Sequence, residues 1–231
     1  MPKIALVTGG TYGIGRAISL SLDADCNVAA VWRSSEPQDF PSSIHSIQAD
    51  LTQPGQCEAV VADVIDTFGA LDIIVNNAGF ADATPKDKFD ADIQNAILNT
   101  NLLVPSALLS AAMPHLKPGA SIINISSVNA VLPPNGASIF GASKAALNLW
   151  TRAMAKELGA SGIRVNAIAP GAINIPENPR SPELIDLFVT DTALGRIGTP
   201  NDVAKAVAFL ASDGAEFITG QILEVSGGYR L

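Results

Sequence analysis

Seven short apolar runs, separated by longer stretches of helical character, set the strongest limit on how this chain can fold. The runs are "KIALVT" (3–8), "NVAAVW" (27–32), "SIHSIQA" (43–49), "LDIIVNN" (71–77), "ASIINIS" (120–126), "IRVNAIA" (163–169) and "QILEVS" (221–226). Most lack clean alternation of polar and apolar residues, which is the pattern of strands covered on both faces. Helical patterns occupy 13–23, 53–68, 90–115, 141–159 and 200–211. This alternation predicts an α/β fold, a doubly wound parallel sheet with helices on both faces. The chain has 231 residues and no repeat, low-complexity segment or linker, so one domain over 1–231 is expected. Residues 170–199 break the rhythm with several prolines after a strand's carboxyl end, and are read as a substrate loop or lid.

Composition removes several classes of function. With 48% hydrophobic and 16% charged residues the chain has ample material for a core, and disorder is not expected. The net charge is −8 and the 14 basic residues form no stripe, which argues against a nucleic-acid partner. Cys26 and Cys57 show no metal spacing, and His45 and His115 lie too far apart for a local metal motif. The first apolar run, about five residues, is too short for a signal peptide or membrane span. The expectation is a cytoplasmic protein with no metal, no nucleic acid and no membrane partner.

The chemistry gathers where strands end. "VTGGTYGIGRAI" puts Gly9, Gly13 and Gly15 between the first strand and a helix, where backbone can approach a pyrophosphate and helix amides can face an anion. The second strand ends "VAAVWRSSE". The place where an acidic residue would bond a ribose and repel a 2′-phosphate holds Trp32, followed by Arg33 and Ser34. A guanidinium there attracts phosphate, so NADP(H) is expected over NAD(H). "ADL" (49–51) and "NNAG" (76–79) close the third and fourth strands, with Asp50 placed for an adenine amino group. In "SIFGASKAAL" (138–147) Lys144 follows Phe140 by four residues, so the two share one helix face. A proton-relaying pair at this spacing would require tyrosine first.

These motifs, in this order, resemble the short-chain dehydrogenase/reductase family over essentially the whole chain. The resemblance is carried by "TGGTYGIG" (8–15), "NNAG" (76–79), "NTN" (99–101), "NISS" (124–127), "SKAAL" (143–147) and "PGAI" (170–173). It implies a Rossmann-type domain with about seven parallel strands, a nicotinamide cofactor, and hydride transfer with a small carbonyl or alcohol substrate. Cofactor contacts are implied for Gly9, Thr11, Tyr12, Gly13, Ile14, Gly15, Arg33, Ser34, Asp50, Leu51, Asn77, Ala78, Gly79, Lys144, Pro170, Gly171 and Ile173. Catalytic positions map to Asn101, holding a relay water; Ser127, orienting the substrate oxygen; Lys144, bonding the nicotinamide ribose; and residue 140. A homodimer or homotetramer is implied as well, with the helix bearing Trp150 pairing between subunits.

Three positions depart from the family pattern. The family tyrosine falls on Phe140, counted either back from Lys144 or forward from Ser127. Lowering a phenol pKa from about 10 to 7 takes roughly 4 kcal/mol of help from a neighbouring ammonium, and Phe140 has no hydroxyl to receive it. Cofactor binding should survive. Three explanations follow: an engineered replacement in an otherwise intact enzyme, a natural enzyme whose substrate needs no phenol proton, such as an iminium, or a redox-inactive sensor or scaffold. Tyr12 stands where relatives often carry a basic residue. Ile175 stands where a threonine commonly bonds the carboxamide, with Asn174 or backbone amides as substitutes.

Other residues have plainer expected roles. His115 suits a helix end, His45 has no motif partner, and Asp72 caps or turns the chain at the fourth strand. Leu147, Trp150 and Met154 form a packed helix face. Leu187 and Phe188 line a substrate pocket or anchor the loop. Tyr229 reads as a surface or subunit-contact residue.

Overall fold

The structure, a computed structural model, describes residues 2–34 and 39–230. Strands β1 (Lys3–Thr8), β2 (Cys26–Trp32), β3 (His45–Gln48), β4 (Ile73–Asn76), β5 (Ser121–Ile125), β6 (Arg164–Pro170) and β7 (Ile222–Val225) form one parallel sheet, ordered 3-2-1-4-5-6-7. Every expected strand is present. The order reverses between β1 and β4, and open α/β sheets bind ligands at that point, beyond the strands' carboxyl ends.

Side chains of successive strand residues point to opposite faces, and the sheet accordingly separates two cores. Ile4, Leu6, Ile74 and Ile122 face helices α2 (Gln56–Phe68), α4 (Val104–Ala112) and α5 (Ser138–Leu158). Ala5, Val7, Ile73, Val75 and Ile123 face α1 (Gly13–Leu22) and α7 (Pro200–Ala211). Leu147 is buried, and Trp150 and Met154 pack against the first core. Asp72 ties β4 to β1 by accepting the Ile4 amide at 2.8 Å.

Three boundaries differ from the sequence expectation. The helix expected over 90–115 is divided into α3 (Ala91–Leu98), a π-helical turn (Asn99–Leu103) and α4. Pro105 has no N–H, so the carbonyl of Asn101 loses the donor an α-helix would give it, and the Val104 amide bonds back to Asn99 instead. The helix carrying Lys144 starts at Ser138 rather than 141. The 170–199 segment is not wholly irregular: α6 (Pro182–Thr190) lies inside it, begun by the Ser181 hydroxyl accepting the Leu184 amide and by Pro182 at the first helical position.

One side-chain expectation is corrected, and one residue without a motif partner finds a side-chain contact. His45 has a partner, Asp63, at 2.5 Å. Tyr229 is buried against Phe188, with ring centroids 5.8 Å apart, rather than lying on the surface. Cys26 and Cys57 are free thiols, and burial pushes that of Cys57 up to about 11. Among the described residues no helix is long and apolar enough to cross a membrane, and no group of three acidic, histidine or cysteine side chains could hold a metal.

Candidate active site

At the switch point a cavity of about 490 Å³ opens beyond β1, β2, β3 and β4. Its wall is built from the glycine turn (Gly9, Thr11, Tyr12, Gly13, Ile14, Gly15), the β2 end (Arg33, Ser34), Asp50 and Leu51 after β3, and Asn77, Ala78 and Gly79 after β4. Of the residues expected to hold a nucleotide, Lys144, Pro170, Gly171 and Ile173 do not line it. Residues that sequence reasoning did not assign also line it, among them Thr52, Phe80, Thr100 and Ile175.

The glycine turn is tight because backbone crosses backbone there. A Cβ on Gly15 would lie 1.9 Å from the Gly9 carbonyl oxygen and 2.4 Å from Asn77 Nδ2, while Gly9 and Gly13 have φ of +59° and +52°. Thr8 Oγ1 accepts the Asn77 and Ala78 amides at 3.0 and 2.9 Å, and Asn77 Nδ2 donates to the Thr8 and Gly9 carbonyls at 3.0 Å each. The Asn77 side chain therefore staples two loops together. Thr8, the first residue of the glycine motif, has no role in the sequence reading, and it joins the turns after β1 and β4. Its signal was a hydroxyl on the last residue of a strand.

Tyr12 caps α1 with extended backbone and no side-chain hydrogen bond, and no acidic residue occupies the first turn. The amides at that helix end remain available to an anion. Asp50 accepts the Thr52 hydroxyl and amide at 2.6 and 3.0 Å, and the Thr52 hydroxyl in particular holds its carboxyl below the usual range. An ionised acceptor results.

After β4, two of the residues expected to be catalytic, Asn101 and Lys144, come together at Gly79. An idealised Cβ on Gly79 would lie 3.5 Å from Asn101 Oδ1 and 3.6 Å from Lys144 Nζ. Asn101 Oδ1 accepts the Phe80 amide at 2.8 Å, while its Nδ2 donates to the Phe80 carbonyl and Ser143 Oγ at 2.9 Å each. The Asn101 side chain is thus fully engaged in locking loop to helix. Ser127 Oγ accepts the Asn129 amide at 3.1 Å and donates to no group among the described residues.

Lys144 Nζ donates to the Ile125 carbonyl at 2.8 Å and lies 5.8 Å from the centroid of the Phe140 ring. A buried chain holds α5 in register: Asn76 donates to Asn124, Asn124 to Thr151, and Thr151 to the Leu147 carbonyl, each at 2.8 Å. Burial pulls Lys144 down to about 8. Unfolding returns it to about 10.4, so between these values the unfolded chain holds a proton that the folded chain has released. Below pH 8 the buried ammonium carries its desolvation cost in full. As pH rises to about 10.5 that cost, roughly 3 kcal/mol, is relieved. Denaturant unfolding should show stability rising over this window relative to Lys144→Met, which lacks the titration.

Comparisons with known proteins identify the family. Residues 9–230 match the family model described as enoyl-(acyl carrier protein) reductase. A 3-oxoacyl-(acyl-carrier-protein) reductase of Staphylococcus aureus is 35% identical, the match covering 99% of this chain and 98% of that protein. The 3beta-hydroxysteroid dehydrogenase 1 of Eggerthella lenta is also 35% identical, over 99% of this chain and 94% of its own length. The crystal structure of a short chain dehydrogenase from Burkholderia cenocepacia in complex with NADP superposes with a TM-score of 0.93 at 36% identity, covering 99% and 98% of the two chains. Fold, site and relatives define an oxidoreductase with a Rossmann-type sheet. The chain belongs to the short-chain dehydrogenase/reductase family.

Proposed function

We propose that the protein is an NADP(H)-linked oxidoreductase acting between a carbonyl and an alcohol, with its proton-transfer step impaired because Phe140 stands where the active form carries tyrosine. The observation that carries this reading is the convergence of Asn101 and Lys144 on Gly79, at the edge of a cavity built from the glycine turn and the β2 end.

The residues present fit a dinucleotide. The glycine turn is a cradle that a single Cβ would fill, and Trp32 in the cavity wall has a buried indole Nε1 with no hydrogen-bond partner among the described residues. The amides at the start of α1 would hold the diphosphate, Asp50 the adenine amino group, and Arg33 with Ser34 the 2′-phosphate. Lys144 would hold the nicotinamide ribose, and backbone at Pro170, Gly171 and Ile173 would flank the carboxamide. A bound nicotinamide supplies the hydride chemistry. Ser127 orients the substrate oxygen through its free O–H. Lys144, fixed by the Ile125 carbonyl, presents its remaining N–H groups toward Gly79. Phe140 can neither give a proton to a developing alkoxide nor take one from an alcohol, and losing that group costs roughly 10²–10⁴-fold in rate. The Burkholderia cenocepacia relative, solved with NADP, supports the choice of cofactor. Two relatives of equal identity are named for an acyl-carrier-protein thioester and for a steroid, so neither name transfers a substrate.

The same reading takes the protein as cytoplasmic and self-associating. Leu149 on α5 and Leu103 in the π-helical turn are 68% and 56% exposed, apolar side chains available to a second copy. Arg33→Ala tests the cofactor assignment. Removing a charged hydrogen-bonding partner should weaken NADPH about 10- to 100-fold and leave NADH unchanged. Tighter binding of NADH than NADPH by the unaltered protein would refute it.

A further inference from the structure

We infer that Arg180, exposed on the segment that follows β6, receives a carboxylate of the substrate; this inference deepens the oxidoreductase reading above and rests on it. Arg180 precedes α6 and is held by three contacts. Its amide donates to Asn174 Oδ1 at 2.9 Å, its Nε donates to the Ile173 carbonyl at 3.3 Å, and its guanidinium lies 5.2 Å over the Phe188 ring. Phe188 is backed in turn by buried Tyr229. A guanidinium carries five N–H groups, and here Nε–H alone is used among the described residues.

Acidic residues outnumber basic ones, 22 to 14, yet Arg180, like Arg33, Arg152 and Lys205, has no carboxylate within ion-pair distance among the described residues, whereas Arg196 forks onto Asp202 at 2.8 Å, Arg230 reaches Asp191 at 2.9 Å and Lys3 reaches Asp213 at 2.6 Å. Glu177 and Glu183 lie within three residues of Arg180 and make no ion pair with it. Stacking and the Ile173 bond orient the fork in advance, so little side-chain entropy remains to be lost when an anion docks.

Position argues for substrate rather than cofactor. The register Ile125–Ile168 brings the start of the Ser127 turn beside the end of β6, and Ile173 follows three residues after Pro170. Two residues further on, Ile175 lines the cavity, with side-chain atoms 3.2 Å from a Cβ placed on Gly13. Arg180 is therefore tied to the short segment that runs from the Ser127 side toward the glycine turn. The diphosphate has the amides of that turn. One guanidinium with two nearby glutamates suits a monoanion better than a phosphate.

The test is calorimetry on the full-length protein saturated with NADPH, using 4-oxopentanoate, 5-oxohexanoate and 6-oxoheptanoate against their methyl esters. At least one keto acid should bind about tenfold tighter than its ester, as expected for a charge-assisted fork. Arg180→Gln should erase that difference, Arg180→Lys should keep part of it, and NADPH affinity should stay within about twofold in both. Esters binding as well as acids, or an acid preference that survives Arg180→Gln, overturns the inference. So does a loss confined to NADPH, which would make Arg180 a diphosphate contact. Failure of the unaltered protein to bind NADPH would remove the oxidoreductase reading and this inference together. Normal NADPH binding without an acid preference removes this inference alone.

Discussion

Phe140→Tyr should raise NADPH-dependent ketone reduction by roughly 10²–10⁴-fold, the usual worth of a positioned acid–base group. The ring is already in place. It shares a face of α5 with Lys144, its centroid lies 5.8 Å from the ammonium, and its backbone carbonyl is fixed by Ser143 Oγ at 2.7 Å. The hydroxyl therefore arrives in a frame that needs no rebuilding. Lys144 near pH 7 is still protonated, since its pKa is about 8, and a close ammonium favours phenolate. Steady-state rates on a ketone panel, at saturating NADPH, measure the effect. Brisk turnover of iminium substrates by the unaltered chain would instead mean that the reaction needs no phenol proton. No gain with any carbonyl would favour a nucleotide-binding protein without redox chemistry.

Gly15→Ala should abolish nucleotide binding, weakening NADPH by at least about 100-fold, or roughly 2.7 kcal/mol. Its methyl group would meet the Gly9 carbonyl at 1.9 Å and Asn77 Nδ2 at 2.4 Å, and neither can yield alone. Asn77 Nδ2 is bonded to the Thr8 and Gly9 carbonyls, so moving it opens the staple between the turns after β1 and β4. The cavity wall, which Gly9, Gly15 and Asn77 all line, depends on the same contact. Unfolding free energy should fall as well, by the several kcal/mol typical of strain at a backbone crossing. Gly159→Ala is the control. A Cβ there meets nothing within 4 Å, and both NADPH affinity and stability should be essentially unchanged.

The central strands were legible because each is a short apolar run with both faces covered, and β1, β4 and β5 do send alternate residues into two cores, whereas the edge strands β3 and β7 keep exposed positions. The nucleotide cradle was legible because a backbone that must approach closely requires glycine, and glycine is visible in a sequence. What stayed hidden depends on distant partners. Nothing local announces that Lys144 will bond the Ile125 carbonyl, or that the Asn101 side chain will be taken up by Phe80 and Ser143. Two misses had local signals that were outweighed. Ser181 with Pro182 is a helix start, but the prolines around it suggested an irregular loop. Pro105 marked a break in a long helical pattern that was read as continuous. Tyr229 was taken for a surface residue because it lies near the chain end. Its burial comes from Phe188, 41 residues earlier.

The central claim is that the nucleotide site is intact while the proton-transfer site lacks one oxygen. Calorimetric titration of the unaltered protein and of Phe140→Tyr with NADPH tests it most directly. Both forms should bind one NADPH per chain with affinities within about threefold, since one phenol hydroxyl contributes no more than a neutral hydrogen bond to the ground state. No binding by the unaltered chain, or binding that appears only once residue 140 carries a hydroxyl, would contradict the account.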